Sequence, residues 1–382
     1  MFEPQLAYLL PERSTPFYYY DFGVLAQTLE MLTWSTGKYD FNLHYAFKAN
    51  ANPAILNMVH DYGLGADCVS GNEIKLALKL GFSTDSIVFA GVGKTDKEIE
   101  LSLSKNIFCI NCESVQEIMV IDQIAGGIGK TARIALRINP GIDAMTHPGI
   151  TTGQAQNKFG IHLNDLDELL TILPGMGNIR LTGLHIHIGS QITRFEVFVT
   201  LCKKINEIQE LFYRRNIPLD HINLGGGLGI DYHHPEQMPP FEEYFNLFAR
   251  HLRIYPHQSV HFEPGRSVVG QCGSLITKVL FTKNAPGKQF AIVDAGFTEL
   301  LRPALYHAYH KIENLVSLEP EQLYEVVGPI CETTDSFGSD ISLPECTRGD
   351  LLAIRSTGAY GESMASHYNQ RELNPAEFSY QF

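Results

Sequence analysis

The stretch LHYAFKANANPAILNMVHDYGLGADCVSGNEIKLALKLGFSTDSIVFAG (43–91) holds three short apolar runs separated by two amphipathic ones. LHYAF (43–47), LGADCV (64–69) and SIVFAG (86–91) have the length and apolar content of buried strands. NPAILNMVHDY and GNEIKLALKL, between them, carry apolar residues at helical spacing. Strand, helix, strand, helix, strand is the pattern of parallel βα units. Outward from this stretch the alternation continues through IFCIN (107–111), RIALRIN (133–139), LTGLHIH (181–187), HINLG (221–225) and SVHFEPG (259–265). Helical runs such as TDKEIELSLS, SVQEIMVIDQIA, RFEVFVTLCKKINEIQELFYRR and FEEYFNLFARHLR fall between them. Eight strands with crossovers predict an α/β fold of the (β/α)8 TIM-barrel type.

After about residue 272 the texture changes to SLITKVLFT, QFAIVDAG, YEVVGPI and LLAIRST, with no long helices between. This predicts a second, all-β domain of sandwich or Greek-key type. The strand-like PFYYYDF (16–22), ahead of the first βα unit, is expected to join it. The expected boundaries are 23–272 for the barrel and 1–22 plus 273–382 for the β domain. A chain of 382 residues, 44% hydrophobic, has the length and core for both.

With 29 basic against 42 acidic residues, the net charge of −13 argues against nucleic acid and anionic membranes as partners and favours a small-molecule enzyme. The absence of a long apolar run and of a secretory signal pattern in MFEPQLAYLLPER points to a cytoplasmic protein. Seven scattered cysteines make no disulfide framework. Cys109 and Cys112 form a CxxC, but no second Cys or His pair follows at finger spacing, so they read as small buried hydrophobes.

Barrel active sites form where strands end, so those ends carry the functional reading. Lys48 closes the first strand: it is either a desolvated amine able to form a Schiff base or a lysine reaching out to solvent. His185 and His187, two apart on strand six, offer either a metal pair of a hydrolase or a flat ring to stack on a cofactor, with Gly189 and Ser190 following. Gly225, Gly226, Gly227 and Gly229, after strand seven, read as a tight turn or as a nest of N–H groups for phosphate. Glu263, ending strand eight, either pairs with Arg266 or faces a protonated pyridine nitrogen.

Taken together, YAFKAN, GADCVSGNEI, RINPG, KFGI, HIGSQI, GGGLGIDY, EPGR, VGPICE and GAYGESMASHYN, in this order from 45 to 369, resemble the fold-type III pyridoxal-phosphate decarboxylases. That resemblance implies pyridoxal 5′-phosphate as cofactor, Lys48 as its Schiff-base lysine, His187 stacked on its ring and Glu263 at its pyridine nitrogen. It implies Ser190, Gly227, Gly265, Arg266 and Tyr360 at the phosphate, and Asp67, Glu73 and Arg137 as supporting polar residues. It further implies a head-to-tail homodimer with shared sites, in which Cys331 and Glu332 complete the partner's site and the Cys331 thiol acts as a proton donor. The Cys–Glu pair 331–332, RPALY (302–306) and SMASHYN (363–369) look like the diaminopimelate branch of the family. There Arg266, Arg302, Tyr306 and Tyr360 would bind substrate, with two cations and a phenol suited to the distal carboxylate. Glu332 would take the distal ammonium. The expected reaction is decarboxylation of meso-2,6-diaminopimelate at its D-centre to L-lysine and carbon dioxide. The rival readings are an ornithine- or arginine-type decarboxylase, a non-catalytic cofactor-binding member and a metal hydrolase. ETTDSFG after Cys331 and QREL (370–373) depart from the family's usual ESGD and RPR or RPL.

Overall fold

The computed structural model describes residues 13–144, 146–154 and 156–379. The first twelve residues of the segment expected to join the β domain, and 380–382, lie outside them. The described chain divides into two compact units, one of Leu29–Gly229 and Pro240–Gly265, the other of residues up to Thr28, Ile230–Pro239 and Arg266 onward. The second unit thus takes 23–28, 230–239 and 266–272, which the sequence boundaries had assigned to the barrel.

After β1 (Phe17–Tyr20), the first unit runs through β2 (Asn42–Ala46), β3 (Gly65–Cys68), β4 (Ile87–Phe89), β5 (Cys109–Cys112), β6 (Ala132–Asn139), the short β7 (Ile161–His162), β8 (Ile179–His185), β9 (His221–Asn223) and β10 (Ser259–Phe262). All but β1 and β7 close a parallel ring in the order β2–β3–β4–β5–β6–β8–β9–β10, with β10 returning to β2 and β7 hanging from β6. These are the eight strands expected from the alternation of apolar runs.

The helices begin where side chains can take up the backbone donors that a helix start leaves unpaired. Asn52 accepts from the N–H of Ala54 ahead of Pro53, Ser70 from Glu73, and Ser114 from Glu117. The long helix Phe195–Arg214 buries Phe198, Leu201, Ile205, Ile208 and Phe212 along one stripe, the spacing that reads as amphipathic in the sequence. Phe198, Tyr244, Phe248 and Phe262 pack as neighbouring tilted and edge-on rings between helices and barrel wall.

The second unit is one eight-stranded, mostly antiparallel sheet built on β11 (Gly273–Ala285). The first half of β11 pairs with β1 and with β16 (Leu351–Ile354); past an irregularity at Val279 and Phe281 its second half pairs with β12 (Lys288–Val293). Such a break lets one strand serve two parts of a sheet. β13 (Ile312–Asn314), β14 (Glu321–Val327), β15 (Ser336–Pro344) and β17 (Glu377–Phe378) complete it. PFYYYDF therefore pairs with the C-terminal half of the chain, as its composition suggested.

Candidate active site

In the barrel unit the chemistry-bearing residues stand where the strands end. β2 runs into a 3-10 turn, Phe47–Ala49, that holds Lys48 with about a third of its side chain exposed. The Lys48 Nζ donates to Oδ2 of the fully buried Asp67 at 3.1 Å. Burial and the nearby Glu263 push the Asp67 carboxyl above its ordinary value, against the pull of Lys48. Its second oxygen, Oδ1, has no hydrogen-bond partner.

Glu263 is buried at the end of β10 and surrounded by donors. His185 Nε2 lies 2.9 Å from Oε2, while Asn223 Nδ2 donates to Oε1 at 2.7 Å and Asn111 Nδ2 approaches it at 3.4 Å. Burial alone would raise this carboxyl; His185 beside it, with Lys48, outweighs burial and holds it well below the usual carboxylate range. Glu263 is thus an anion surrounded by protein donors.

His187 accepts the N–H of Gly226 on Nδ1 at 3.1 Å, and burial, then Lys48 and Arg137, push it well below the ordinary histidine value. A neutral ring with Nδ1 as acceptor carries its proton on Nε2. His185, ending β8, and His187, two residues on, therefore do different work, and among the described residues no three His, Cys, Asp or Glu side chains converge on a metal position.

The glycine run needs a correction. Its N–H groups do not all point at one anion: Gly225 donates to Asn223 Oδ1 at 2.9 Å, Gly226 to His187, and Gly229 to the Ile192 carbonyl at 3.0 Å. The run follows the barrel wall too closely for a full nest, and its local acceptors take those donors first. Ser190 likewise donates its backbone N–H to Ile150, at 3.1 Å. Among the described residues the N–H groups of Gly227 and Gly265 meet no protein acceptor. Gly227 sits at φ +119, a left-handed backbone that glycine tolerates, and a Cβ on Gly226 would stand 2.2 Å from the Glu263 carbonyl. A Cβ on Gly265 would press at 3.1 Å on both Ala46 and Ala49.

Behind these groups, Arg137 Nη1 pairs with Glu113 Oε1 at 2.5 Å, and Glu113 also accepts from Gly91 and Gly160. Glu73 turns back on the N–H of Val69 at 2.6 Å, on the loop after Asp67. Burial raises its carboxyl.

The β unit gathers a second group. Arg266 donates through Nη1 to the Tyr232 hydroxyl at 2.6 Å and lies 4.9 Å from the Tyr360 ring centre. Arg302, on the short helix Arg302–Tyr306, lies 5.4 Å from the Tyr232 ring and donates through Nε to His310 Nε2 at 3.3 Å. Both arginines are buried, and among the described residues no carboxylate pairs with Arg302. Tyr306 ends that helix. Cys331 is exposed, while the six other cysteines are buried, Cys109 and Cys112 included. Glu332 beside it accepts from the Tyr368 hydroxyl at 2.8 Å.

Sequence reading passed over Asn111, Asn223, Glu113, Tyr232 and His310. Position at a strand end could have found Asn111 and Asn223; nothing local marks His310.

The profile of the family described as pyridoxal-dependent decarboxylase, pyridoxal binding domain, matches residues 27–270. This chain belongs to that family. Among relatives of these pyridoxal-dependent decarboxylases, the diaminopimelate decarboxylase of Bacteroides thetaiotaomicron is 54% identical over 363 residues, covering 94% of each chain. That of Aquifex aeolicus is 39% identical over 94% of this chain and 85% of its own. The crystal structure of diaminopimelate decarboxylase from Helicobacter pylori complexed with L-lysine superposes with a TM-score of 0.91 at 40% identity, covering 97% of this chain and 93% of that one. Fold alone is shared with the lysine/ornithine decarboxylase of Vibrio vulnificus, 20% identical with a TM-score of 0.86 over 100% of this chain and 99% of that one. No helix among the described residues is long and apolar enough to cross a membrane.

Proposed function

We propose that this chain decarboxylates meso-2,6-diaminopimelate at its D-configured centre, giving L-lysine and carbon dioxide with pyridoxal 5′-phosphate as cofactor. One observation carries the reading: a buried, ionised Glu263 in the same strand-end layer as a lysine, Lys48, that can anchor an aldehyde. The residues fit the cofactor. Asp67 Oδ1 lacks a partner, the Gly227 and Gly265 N–H groups are uncommitted by protein, and a side chain at Gly226 or Gly265 would crowd its surroundings.

Lys48 would hold the aldehyde carbon, His187 would lie against the ring, and Glu263 would keep a proton on the pyridine nitrogen. Ser190, Gly227, Gly265, Arg266 and Tyr360 would hold the phosphate. When bound, the cofactor withdraws the electron pair left as carbon dioxide departs. The Cys331 thiol, supplied by the partner of a homodimer, would protonate Cα. Arg266 and Arg302, with Tyr306, would bind the distal carboxylate, and Glu332 the distal ammonium. Ornithine has no second carboxylate to compensate a buried guanidinium, which favours diaminopimelate. The reaction belongs in the cytoplasm on this reading.

The test is turnover by the purified, cofactor-loaded protein. The meso isomer should give lysine and carbon dioxide in equal amounts, with ornithine, arginine and lysine used at least about a thousandfold less efficiently. Comparable kcat/KM for ornithine would overturn the substrate assignment.

A further inference from the structure

We propose that His310 and Tyr232 are positioning residues that hold Arg302 and Arg266 for the distal carboxylate of the substrate, an assignment that rests on the reading above. Arg302 is 5% exposed and Arg266 4%. Burying a guanidinium without compensation is costly. A carboxylate partner would remove the cost, but it would also cancel the charge that a ligand must meet. For Arg302 the β unit instead uses a neutral acceptor, His310.

His310 is fixed as such an acceptor from both sides of its ring. Nδ1 stands 2.8 Å from the Arg355 carbonyl, which can only accept, so Nδ1 carries the proton. Nε2 then presents its lone pair to Arg302 Nε at 3.3 Å. Burial and Arg302 itself push His310 down to about 3, so the acceptor stays neutral throughout the physiological range. Because Nε is the atom committed, the Nη1–Nη2 edge is left for a bidentate carboxylate.

Tyr232 links the two arginines. Its ring lies edge-on to His310 at 5.0 Å and beside Arg302 at 5.4 Å, and its hydroxyl takes the Arg266 Nη1 at 2.6 Å. His310, Arg302, Tyr232, Arg266 and Tyr360 thus form one layered assembly within the β unit, in which cations are oriented by lone pairs and ring faces.

Kinetics and inhibition of His310→Leu, His310→Gln and Tyr232→Phe test this. L-Lysine keeps the carboxylate that the arginines would bind, whereas 1,5-diaminopentane lacks it. His310→Leu should raise KM for meso-diaminopimelate and Ki for L-lysine together by at least about tenfold, with kcat within about threefold and Ki for 1,5-diaminopentane unchanged. His310→Gln, able to accept from Arg302 and donate to the Arg355 carbonyl, should recover most of the loss. Tyr232→Phe should weaken lysine in the same selective way. An unchanged KM and Ki, an equal loss for lysine and diaminopentane, or a glutamine variant no better than leucine would each overturn the assignment. Should His310→Leu not fold, the glutamine and Tyr232→Phe arms decide. A wild-type enzyme that neither decarboxylates meso-diaminopimelate nor is inhibited by L-lysine would instead refute the substrate reading itself.

Discussion

The barrel interior carries polar residues at both ends of its strands and stabilises them in opposite ways. Where the strands end, charge meets charge: Lys48 with Asp67, Arg137 with Glu113, and Glu263 among His185, Asn223 and Asn111. Toward the strand starts, three histidines are buried around Phe108 without any ion pair. His44 Nδ1 lies 2.9 Å from the Ser86 carbonyl and its Nε2 2.8 Å from His261 Nδ1, while Ser259 Oγ is 2.8 Å from His261 Nε2. Only one proton arrangement satisfies this line: Ser259 donates to His261, His261 to His44, and His44 to the carbonyl. Burial pushes His44 down, His221 to about 3 and His261 to about 2. One end therefore keeps charge available for chemistry; the other excludes charge so that the barrel can close. Gly65 and Gly183 make room for the His44 and His221 rings, since a Cβ at either would lie under 3 Å from them.

The largest effect should come from the charged end. Lys48→Ala is expected to lower turnover at least a thousandfold while the circular dichroism spectrum stays native, because Lys48 is a third exposed and Asp67 can then take up a proton. A variant that kept more than a few per cent of activity would remove Lys48 from the proposed centre.

Next, Glu263→Gln should cut kcat by on the order of a hundredfold, as expected when a buried charge facing the reacting system is lost. It should also destabilise the fold by about 1–3 kcal/mol, because His185 and Asn223 sit on different carboxylate oxygens and the amide turns one of these acceptors into a donor. Steady-state kinetics and urea unfolding of the same preparation read both; unchanged kcat would break the division between the two ends.

The pH dependence of stability sharpens the comparison. The histidines bind protons more weakly when folded than when unfolded, so their contribution is fully present above about pH 6.5 and is lost as pH falls below it. Going from pH 7 to pH 5 should cost on the order of 2 kcal/mol for each histidine that stays neutral in the fold. Glu263, held low, adds acid sensitivity only below its ordinary range, and Asp67, held high, acts with the opposite sign. A urea midpoint that does not fall between pH 7 and pH 5 would show that the histidines already carry charge in the fold.

The smallest effect belongs to Ser259→Ala, at the partly exposed end of the histidine line. Water can replace the lost donor there, so a change below about 1 kcal/mol in unfolding free energy is expected. A larger loss would mean that the line depends on its terminal hydroxyl.

The barrel was legible because each strand is a short apolar run bounded by turn residues, and the period of the pattern changes at every crossover. β15 was not, because SFGSDISLP alternates weakly, buries only Phe337 and Leu343 and passes through Asp340 at φ 53. Lys48 and Glu263 stood out as charges ending apolar runs. Asn111 and Asn223 did not, since an uncharged amide at a strand end looks like any turn residue until the carboxylate it serves is in place. The glycine run was over-read for a related reason: sequence shows which donors could point at a ligand, not which neighbouring acceptors take them first. His310 is separated from both the Arg302 it orients and the Arg355 that orients it, so no local pattern could announce it.

The pairing of Phe17 with Ile276 has a consequence for how the protein is made. At roughly 5–20 residues per second, β1 leaves the ribosome some ten to fifty seconds before its partner strand exists. Throughout that interval every barrel strand is synthesised, and the barrel can close at Gly265 while the aromatic β1 has no sheet to enter. A nascent chain halted when Gly265 has just cleared the ribosome, with β11 still inside it, should therefore carry a closed barrel and an exposed FYYY segment.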